Sequence, residues 1–440
     1  MMKDLIKDIA KKTIGESTGR KLFKDFKQLR KQYKDYKQLA TLYYNNKVQT
    51  PASKGNLQKP HVVNLNANDI CNSKCAMCNI WEQKQGFEVS PLQLKEILSD
   101  PLFSEVQHIG ITGGEPTLRE DLPELYKAVI EAIPGIHGLS IITNAIREND
   151  VIERVEKVKE LCESYGKNFS MMVSLDGFGE THDKVRGRPG NFNTAINVIN
   201  HFKHKVPLAI GCTISKVNVW EVDELLYYMR NNEIYGRFRV AEFIKRLYND
   251  NKANVIRNFD ADEVYHLQLF FYKLIFTYEK NETYRRTYKS IINILNGGKR
   301  LIGCPYQSNG IVLNSRGEIA YCAPKSAIIG NGLAESGQMI YESNLDERTR
   351  IRANECDSCI HDYHAPITYE EKRLELDQRY WKKKLSINQL SAVSISDMMV
   401  PAKRLVEKGI PQVLIVGWYG TETVGDKAIL GGIVDQLNAL

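Results

Sequence analysis

The sequence contains no long apolar run. Its longest stretches without a charged residue are 15 residues, Ala132–Ile146 and Leu301–Ser315, and both include Pro and Gly. A membrane-crossing helix needs roughly 20 consecutive apolar residues, so none is expected. The opening MMKDLIKDIAKK has neither an apolar core nor a small-residue cleavage site. No secretory signal is expected, and a cytoplasmic location is the default. A GxGxxG dinucleotide loop is missing from residues 417–425, where a strand-loop-helix pattern invites one. Low-complexity composition is absent too. With 42% apolar and 26% charged residues and a mean hydropathy of -0.37, the chain is neither disordered nor membrane-embedded.

Excess charge is confined to one end. Residues 1–50 hold 13 Lys+Arg against 5 Asp+Glu, and the other 390 residues come close to balance. The first 47 residues read as a basic helix, with Leu22, Phe26, Leu29, Tyr33, Tyr36 and Tyr43 near 3,4 spacing among lysines. The simplest expectation is a helix packed on the outside of the domain with a solvated lysine face. A second is peripheral docking to an anionic membrane or an acidic partner. Nothing points to nucleic acid.

From residue 61 the pattern alternates. Apolar runs at 61–67, 106–112, 137–143, 169–175, 207–213 and 237–243 are separated by helical patterns near 91–99, 121–133, 150–165, 192–205 and 220–232. Six successive βα units describe a parallel sheet, three quarters of a (β/α)8 barrel. The expected class is α/β: a partial (β/α)6 TIM-like barrel over 61–255, preceded by the basic helical segment 1–50. A helical connection follows over 256–300, read as one helix across 260–296. A small domain spans 301–365, with a hairpin turning at Asn314–Gly317. A charged helical linker over 366–410 and a β-loop-α piece at 411–440 complete the chain.

Nine cysteines are present, and seven fall in patterned positions. Cys71, Cys75 and Cys78 follow the first strand as C-x3-C-x2-C. Three thiolates within eight residues can converge on one cubane cluster and leave its fourth iron open to a small molecule. A zinc site is the alternative, although structural zinc takes four protein ligands. The remaining strand ends carry Gly113-Gly114-Glu115-Pro116, Thr143-Asn144, Ser174-Leu175-Asp176-Gly177, His182 to Gly187, and Asn218. Barrel active sites are built on that carboxyl face. The two glycines allow close backbone approach to a ligand, and Glu115 offers a carboxylate to an ammonium group. Cys162 and Cys212 read as buried core residues.

The triplet with Trp81 behind it, the GGEP turn 35 residues on, and the order of the later strand-end motifs resemble the radical S-adenosylmethionine (radical SAM) superfamily. The resemblance covers about 61–245, with Met77 where the family usually has an aromatic. It implies a [4Fe–4S] cluster on Cys71, Cys75 and Cys78, with S-adenosylmethionine (SAM) bound near Gly113, Gly114, Glu115, Asn144, Ser174 and Arg186. It further implies reductive cleavage of SAM to a 5′-deoxyadenosyl radical, and an electron donor such as flavodoxin or ferredoxin.

Cys304, Gly317-x4-Cys322 and Cys356-x2-Cys359 resemble the auxiliary-cluster extension called Twitch, within the wider SPASM group. They imply a second, fully ligated [4Fe–4S] cluster for electron transfer. A four-cysteine zinc site has the same ligand count. Residues 413–433, VLIVGWYGTETVGDKAILGGI, resemble the opening of polysaccharide pyruvyl transferases. Together these resemblances imply hydrogen abstraction from a sugar, nucleotide-sugar or glycan-linked substrate, with His182, Glu242 and Lys245 as candidates for the barrel mouth. The rivals are a peptide-modifying maturase and a non-catalytic Fe–S binding or regulatory protein.

Overall fold

The computed structural model describes residues 16–44, 58–369, 371–373 and 375–376. The chain divides into two units, Met1–Ile387 and Asn388–Leu440, and every described residue belongs to the first. The pyruvyl-transferase-like piece and nearly all of the charged linker lie outside the described residues.

Six parallel strands form in chain order: β1 (Val62–Asn66), β2 (His108–Thr112), β3 (Gly138–Thr143), β4 (Asn168–Ser174), β5 (Leu208–Ile214) and β6 (Gly236–Val240). Each pairs with its sequence neighbour. Helical segments link them: α1 (Glu16–Tyr43) precedes the sheet, then come α2 (Pro91–Leu98), α3 (Leu122–Ala132), α4 (Glu148–Ser164), α5 (Glu180–Arg186), α6 (Asn191–Phe202) and α7 (Val222–Asn231). Five helical crossovers between adjacent parallel strands curl the sheet into the expected partial barrel.

Local chemistry sets these elements. Helix α2 opens on a capping box, in which Ser90 and Gln93 bond each other's backbone N–H with Pro91 at the first turn. Helix α3 buries Leu122, Leu125, Tyr126, Val129 and Ile130, one stripe at 3,4 spacing. Strand β4 is buried along Met171–Ser174, as a strand covered on both faces must be. On β6, Phe238 and Val240 join the core, and Phe238 meets Phe270 edge-on at 4.9 Å. The alternating Arg237 and Arg239 therefore project onto the concave face.

The expected single helix over 260–296 is two. Helix α8 (Ala261–Lys273) runs into a π-turn, Leu274–Tyr278, and α9 (Glu282–Leu295) starts afresh after it. The break falls where Glu279 accepts from Tyr235 Oη at 3.0 Å and from Asn281 N at 2.7 Å, which ends the helix locally.

The hairpin is present as β7 (Gly310–Leu313) and β8 (Glu318–Ala320), followed by β9 (Ile328–Asn331), α10 (Gly337–Ser343) and α11 (Leu345–Asn354). Asn314 builds its turn: Oδ1 accepts from Arg316 N and Glu318 N, each at 3.0 Å, and Gly317 takes φ 79°. Strand β7 pairs in parallel with β1, so the second cysteine region continues the barrel sheet, in the order β6-β5-β4-β3-β2-β1-β7-β8-β9.

Helix α1 touches the body through the Asp35–Lys372 ion pair, 3.0 Å, and the edge contact of Tyr43 with Tyr369. Leu29, Tyr33, Tyr36 and Tyr43 are at least half exposed. Among the described residues no helix is long and apolar enough to cross a membrane.

The core at β6 provides a stability test. Phe238→Ala removes a fully buried ring, with an expected cost of about 3–5 kcal/mol. The measurement is the shift in the urea unfolding midpoint.

Candidate active site

The loop after β1 carries Cys71, Cys75 and Cys78, with Cys75 and Cys78 buried. It is held from two sides. The turn after β2 lies against its start: Gly114 N donates to Asn68 O at 3.0 Å and Glu115 N to Ile70 O at 2.9 Å. A side chain has no room there. A Cβ on Gly114 would sit 1.8 Å from Ile70 O, and one on Gly113 2.7 Å from Asn68 O. The loop after β6 grips the other side. Asn79 N donates to Leu247 O, Asn79 Nδ2 to Tyr248 O, and Asn249 Nδ2 to Met77 O at 3.0 Å.

Polar donors converge on the three sulfurs. Cys71 Sγ faces Ser73 N at 3.4 Å and Asn144 Nδ2 at 3.6 Å. Cys75 Sγ faces Ser73 Oγ at 3.1 Å and Arg186 Nη1 at 3.6 Å. Cys78 Sγ accepts from Ile80 N at 3.4 Å. Burial, followed by the neighbouring Cys75, pushes the Cys71 thiol up to about 12 and the Cys78 thiol up to about 11. Such thiols stay protonated until a metal displaces the proton, after which the N–H and guanidinium donors stabilise thiolate charge. The donor set therefore fits a thiolate-ligated iron–sulfur cluster.

Arg186 is held in place by Asp176, Nε to Oδ2 at 2.7 Å, an ion pair without hydrogen-bond alignment. Asp176 Oδ1 also accepts from Thr213 N, and Asn218 Nδ2 donates to Asp176 O at 2.6 Å. The ends of β4 and β5 are thereby tied together behind the cysteine loop. Ser174 closes β4 and is 8% exposed.

Several candidates have other work than the sequence suggested. The Glu115 carboxylate is buried and already accepts from Thr117 N, Thr117 Oγ1 (2.6 Å), Thr143 Oγ1 (2.8 Å) and Asn144 N (2.7 Å). Three of these donors fall on Oε1, and Oε2 accepts only from Asn144 N, which it orients. Gly113 and Gly114 serve the approach of two protein loops. His182 is fully buried: Nδ1 accepts from Asp176 N at 3.0 Å, so Nε2 carries the proton and donates to Asn191 Oδ1 at 3.0 Å. It is not a barrel-mouth residue. Lys245 is exposed, and Glu242 is buried among internal partners. Cys162 and Cys212 are core residues as expected.

Cys304, Cys322, Cys356 and Cys359 border a single cavity with Arg300, Lys325, Tyr306 and Tyr363. Arg300 donates to Cys359 O at 2.8 Å, to His361 O at 2.7 Å and to Tyr363 O, anchoring the segment after the Cys356–Cys359 pair. Burial pushes the Cys304 thiol up to about 12 and the Cys322 thiol up to about 11. Among the described residues, no three His, Cys, Asp or Glu side chains are gathered as a single metal ion would gather them. The four sulfurs surround a space instead of meeting at a point.

Between the two cysteine sets the concave face is charged. Arg239 lies over Gly211 and Met172, 3.9 Å from Asp362. Against the upward push of burial, Arg239 and His361 hold Asp362 well below the usual carboxylate range. Arg246 Nη1 donates to Gly113 O at 3.1 Å. The role of Asn249 and its loop had no sequence signal, because it lies about 170 residues from the cysteines it supports.

Residues 65–228 match the model of the Radical SAM superfamily. This chain carries a radical SAM domain. The superfamily binds a [4Fe–4S] cluster and SAM. The chain is 31% identical over 180 residues to the Fe-coproporphyrin III synthase of Methanosarcina barkeri, covering 40% of this chain and 42% of that protein. It is 26% identical over 193 residues to the cysteine-type anaerobic sulfatase-maturating enzyme of Clostridium novyi, covering 40% and 49%. The matches thus span less than half the length of either relative. In fold, it resembles the crystal structure of Streptococcus suis SuiB bound to S-adenosylmethionine, with TM-score 0.51 and 16% identity, over 77% of this chain and 80% of that one. The radical SAM domain so matched ends before the second cysteine set.

Two expectations follow from this geometry. Gly114→Ala should displace the cysteine loop and lose iron from the first site, read as iron per chain after reconstitution. Burial, then Arg186, pushes His182 down to about 4 from 6.5. Its stabilising contribution is full above pH 6.5 and lost as pH falls through about 4. The urea midpoint should therefore drop more over that window in the native chain than in His182→Gln.

Proposed function

We propose that the chain is a radical SAM enzyme whose first cluster is held by Cys71, Cys75 and Cys78. A second [4Fe–4S] cluster is held by Cys304, Cys322, Cys356 and Cys359. The observation that carries this is the arrangement of three thiols, two of them buried, each faced by N–H, hydroxyl or guanidinium donors, at the carboxyl end of a parallel sheet. A [4Fe–4S] cluster and SAM bound there supply one-electron cleavage of the sulfonium and a 5′-deoxyadenosyl radical.

The chain's own residues then have distinct tasks. Arg186 and Asn144 direct positive groups at the sulfurs, while Asp176 holds the Arg186 guanidinium and Glu115 the backbone of Asn144. Gly113, Gly114 and Ser174 line the strand ends where SAM docks. The domain boundaries follow the same division: a radical SAM core over 61–255 and an auxiliary-cluster region over 301–365. An electron donor of flavodoxin or ferredoxin type supplies the reductant. Helix α1, with its exposed tyrosines and lysines, offers a docking face for an anionic surface.

Two substrate classes have support. A polypeptide is favoured by similarity to a sulfatase-maturating enzyme. A sugar or nucleotide-sugar is favoured by the pyruvyl-transferase-like sequence at 413–433.

Replacing Cys71, Cys75 and Cys78 together with Ala should abolish 5′-deoxyadenosine formation under dithionite. An unchanged rate would refute the assignment. Incubating the reduced, loaded protein with SAM and deuterated substrates separates the classes. Label reaching 5′-deoxyadenosine from a nucleotide-sugar selects the sugar reading, and label from a co-encoded peptide selects the maturase.

A further inference from the structure

Glu242 follows β6 by two residues, and its side chain is 1% exposed. A carboxylate that deep must be fully compensated. Its partners come from three separate segments. Phe243 N donates to Oε1 at 2.9 Å. Arg257 Nη1 lies 3.2 Å from Oε2 and also donates to Ser358 O at 3.3 Å. Ile360 N, the residue after Cys359, donates to Oε2 at 3.2 Å. Lys325 Nζ lies 3.7 Å from Oε1, and the backbone N of the same lysine donates to Cys322 Sγ at 3.4 Å.

The backbone of Glu242 points the other way. Its carbonyl accepts from Asn249 Nδ2 at 3.1 Å, and the same Nδ2 donates to Met77 O, between Cys75 and Cys78. One residue is thus bonded toward both cysteine sets. Arg257 adopts φ 55°, a left-handed conformation that an arginine takes only when its surroundings enforce it. The carboxylate–guanidinium contact is a local reason for it.

We propose that Glu242 is a positioning residue for the second cysteine site: its carboxylate fastens the Cys322 and Cys356–Cys359 segments to the end of β6 and lowers the reduction potential of the cluster held there. This rests on the reading of that site as an iron–sulfur centre. Two consequences follow from the geometry. Without the carboxylate, Ile360 N loses its acceptor, Arg257 and Lys325 lose their counter-charge, and the Cys356–Cys359 segment loses one of its ties to the barrel. With an isosteric neutral amide in its place, the one remaining acceptor oxygen can keep the bond from Ile360 N while that from Phe243 N is given up, and a negative charge beside Cys359 is gone, so adding an electron to the cluster becomes easier.

The test uses the full chain with Cys71, Cys75 and Cys78 replaced by Ala, so that only the second site can take iron. Into it go Glu242→Gln, Glu242→Asp and Glu242→Ala. Reconstituted proteins are compared by iron per chain, electron paramagnetic resonance and redox titration. The expected result is about four irons in the parent, loss of at least half of them in Glu242→Ala, and retention in Glu242→Gln with a more positive midpoint potential. Glu242→Asp should keep the parent potential. In the chain with the triplet intact, the SAM-dependent signal of the first cluster should survive Glu242→Gln, which separates this effect from misfolding. Unchanged iron and potential in both Glu242→Ala and Glu242→Gln would overturn the proposal while leaving the cluster reading intact. One zinc or no metal in the parent would overturn the cluster reading and the proposal with it.

Discussion

The contact on which the site depends is between two stretches of backbone. Gly114 lies so close to Ile70 that no side chain fits between them, and the Asn68–Cys71 chain accepts the N–H groups of Gly114 and Glu115. Cys71 is therefore fixed by the neighbouring strand's turn before any metal is considered. Glu115 extends the constraint to a third strand, since its buried carboxylate gathers Thr117, Thr143 and the backbone of Asn144. Asn144 in turn reaches Cys71 Sγ. Three adjacent strand ends are thus coupled by one turn, which is how a short sequence pattern can position a donor 73 residues away.

The same economy recurs on the far side of the sheet. Asp176 joins β4, β5 and Arg186, and Arg186 reaches Cys75. Glu242 joins the end of β6 to the second cysteine region. Buried carboxylates are costly unless compensated, and each of these is compensated by groups from different segments, Asp176 Oδ2 through its ion pair with Arg186 alone. They are joints, and they account for how a sheet open at one side keeps its two cysteine sets in fixed relation. The contact of Glu242 with Lys325 and Ile360 also means that the segment after β6 meets the chain that follows β8 and the segment after Cys359.

Much of this was legible from sequence because the relevant signals are local. Six apolar runs alternating with helical stripes specify parallel βα units, and all six strands lie within one to three residues of where periodicity places them. C-x3-C-x2-C within eight residues brings its sulfurs together almost regardless of the fold. The second set was legible as a family-like pattern, but its convergence was not, since Cys304 and Cys359 are brought to one cavity by strand pairing and by Arg300. The break at Glu279 in an otherwise helical stretch was invisible, because its cause is a tyrosine donated from β6's approach, Tyr235.

Residue type alone misled where a polar group's role depends on its partners. Glu115 reads as a ligand carboxylate and His182 as a barrel-mouth residue, yet both are engaged by internal hydrogen bonds. Glu242 reads as a mouth residue and is a buried junction, while Asn249, with no sequence mark, holds the cysteine loop. The sequence by itself determined the class of fold, the superfamily and the thiols that can hold metal, because those follow from spacing along the chain. Only the tertiary structure decided which polar side chains are free for chemistry and which hold the framework, because hydrogen bonding and burial depend on how the chain folds around each group, with partners from 2 to more than 170 positions away.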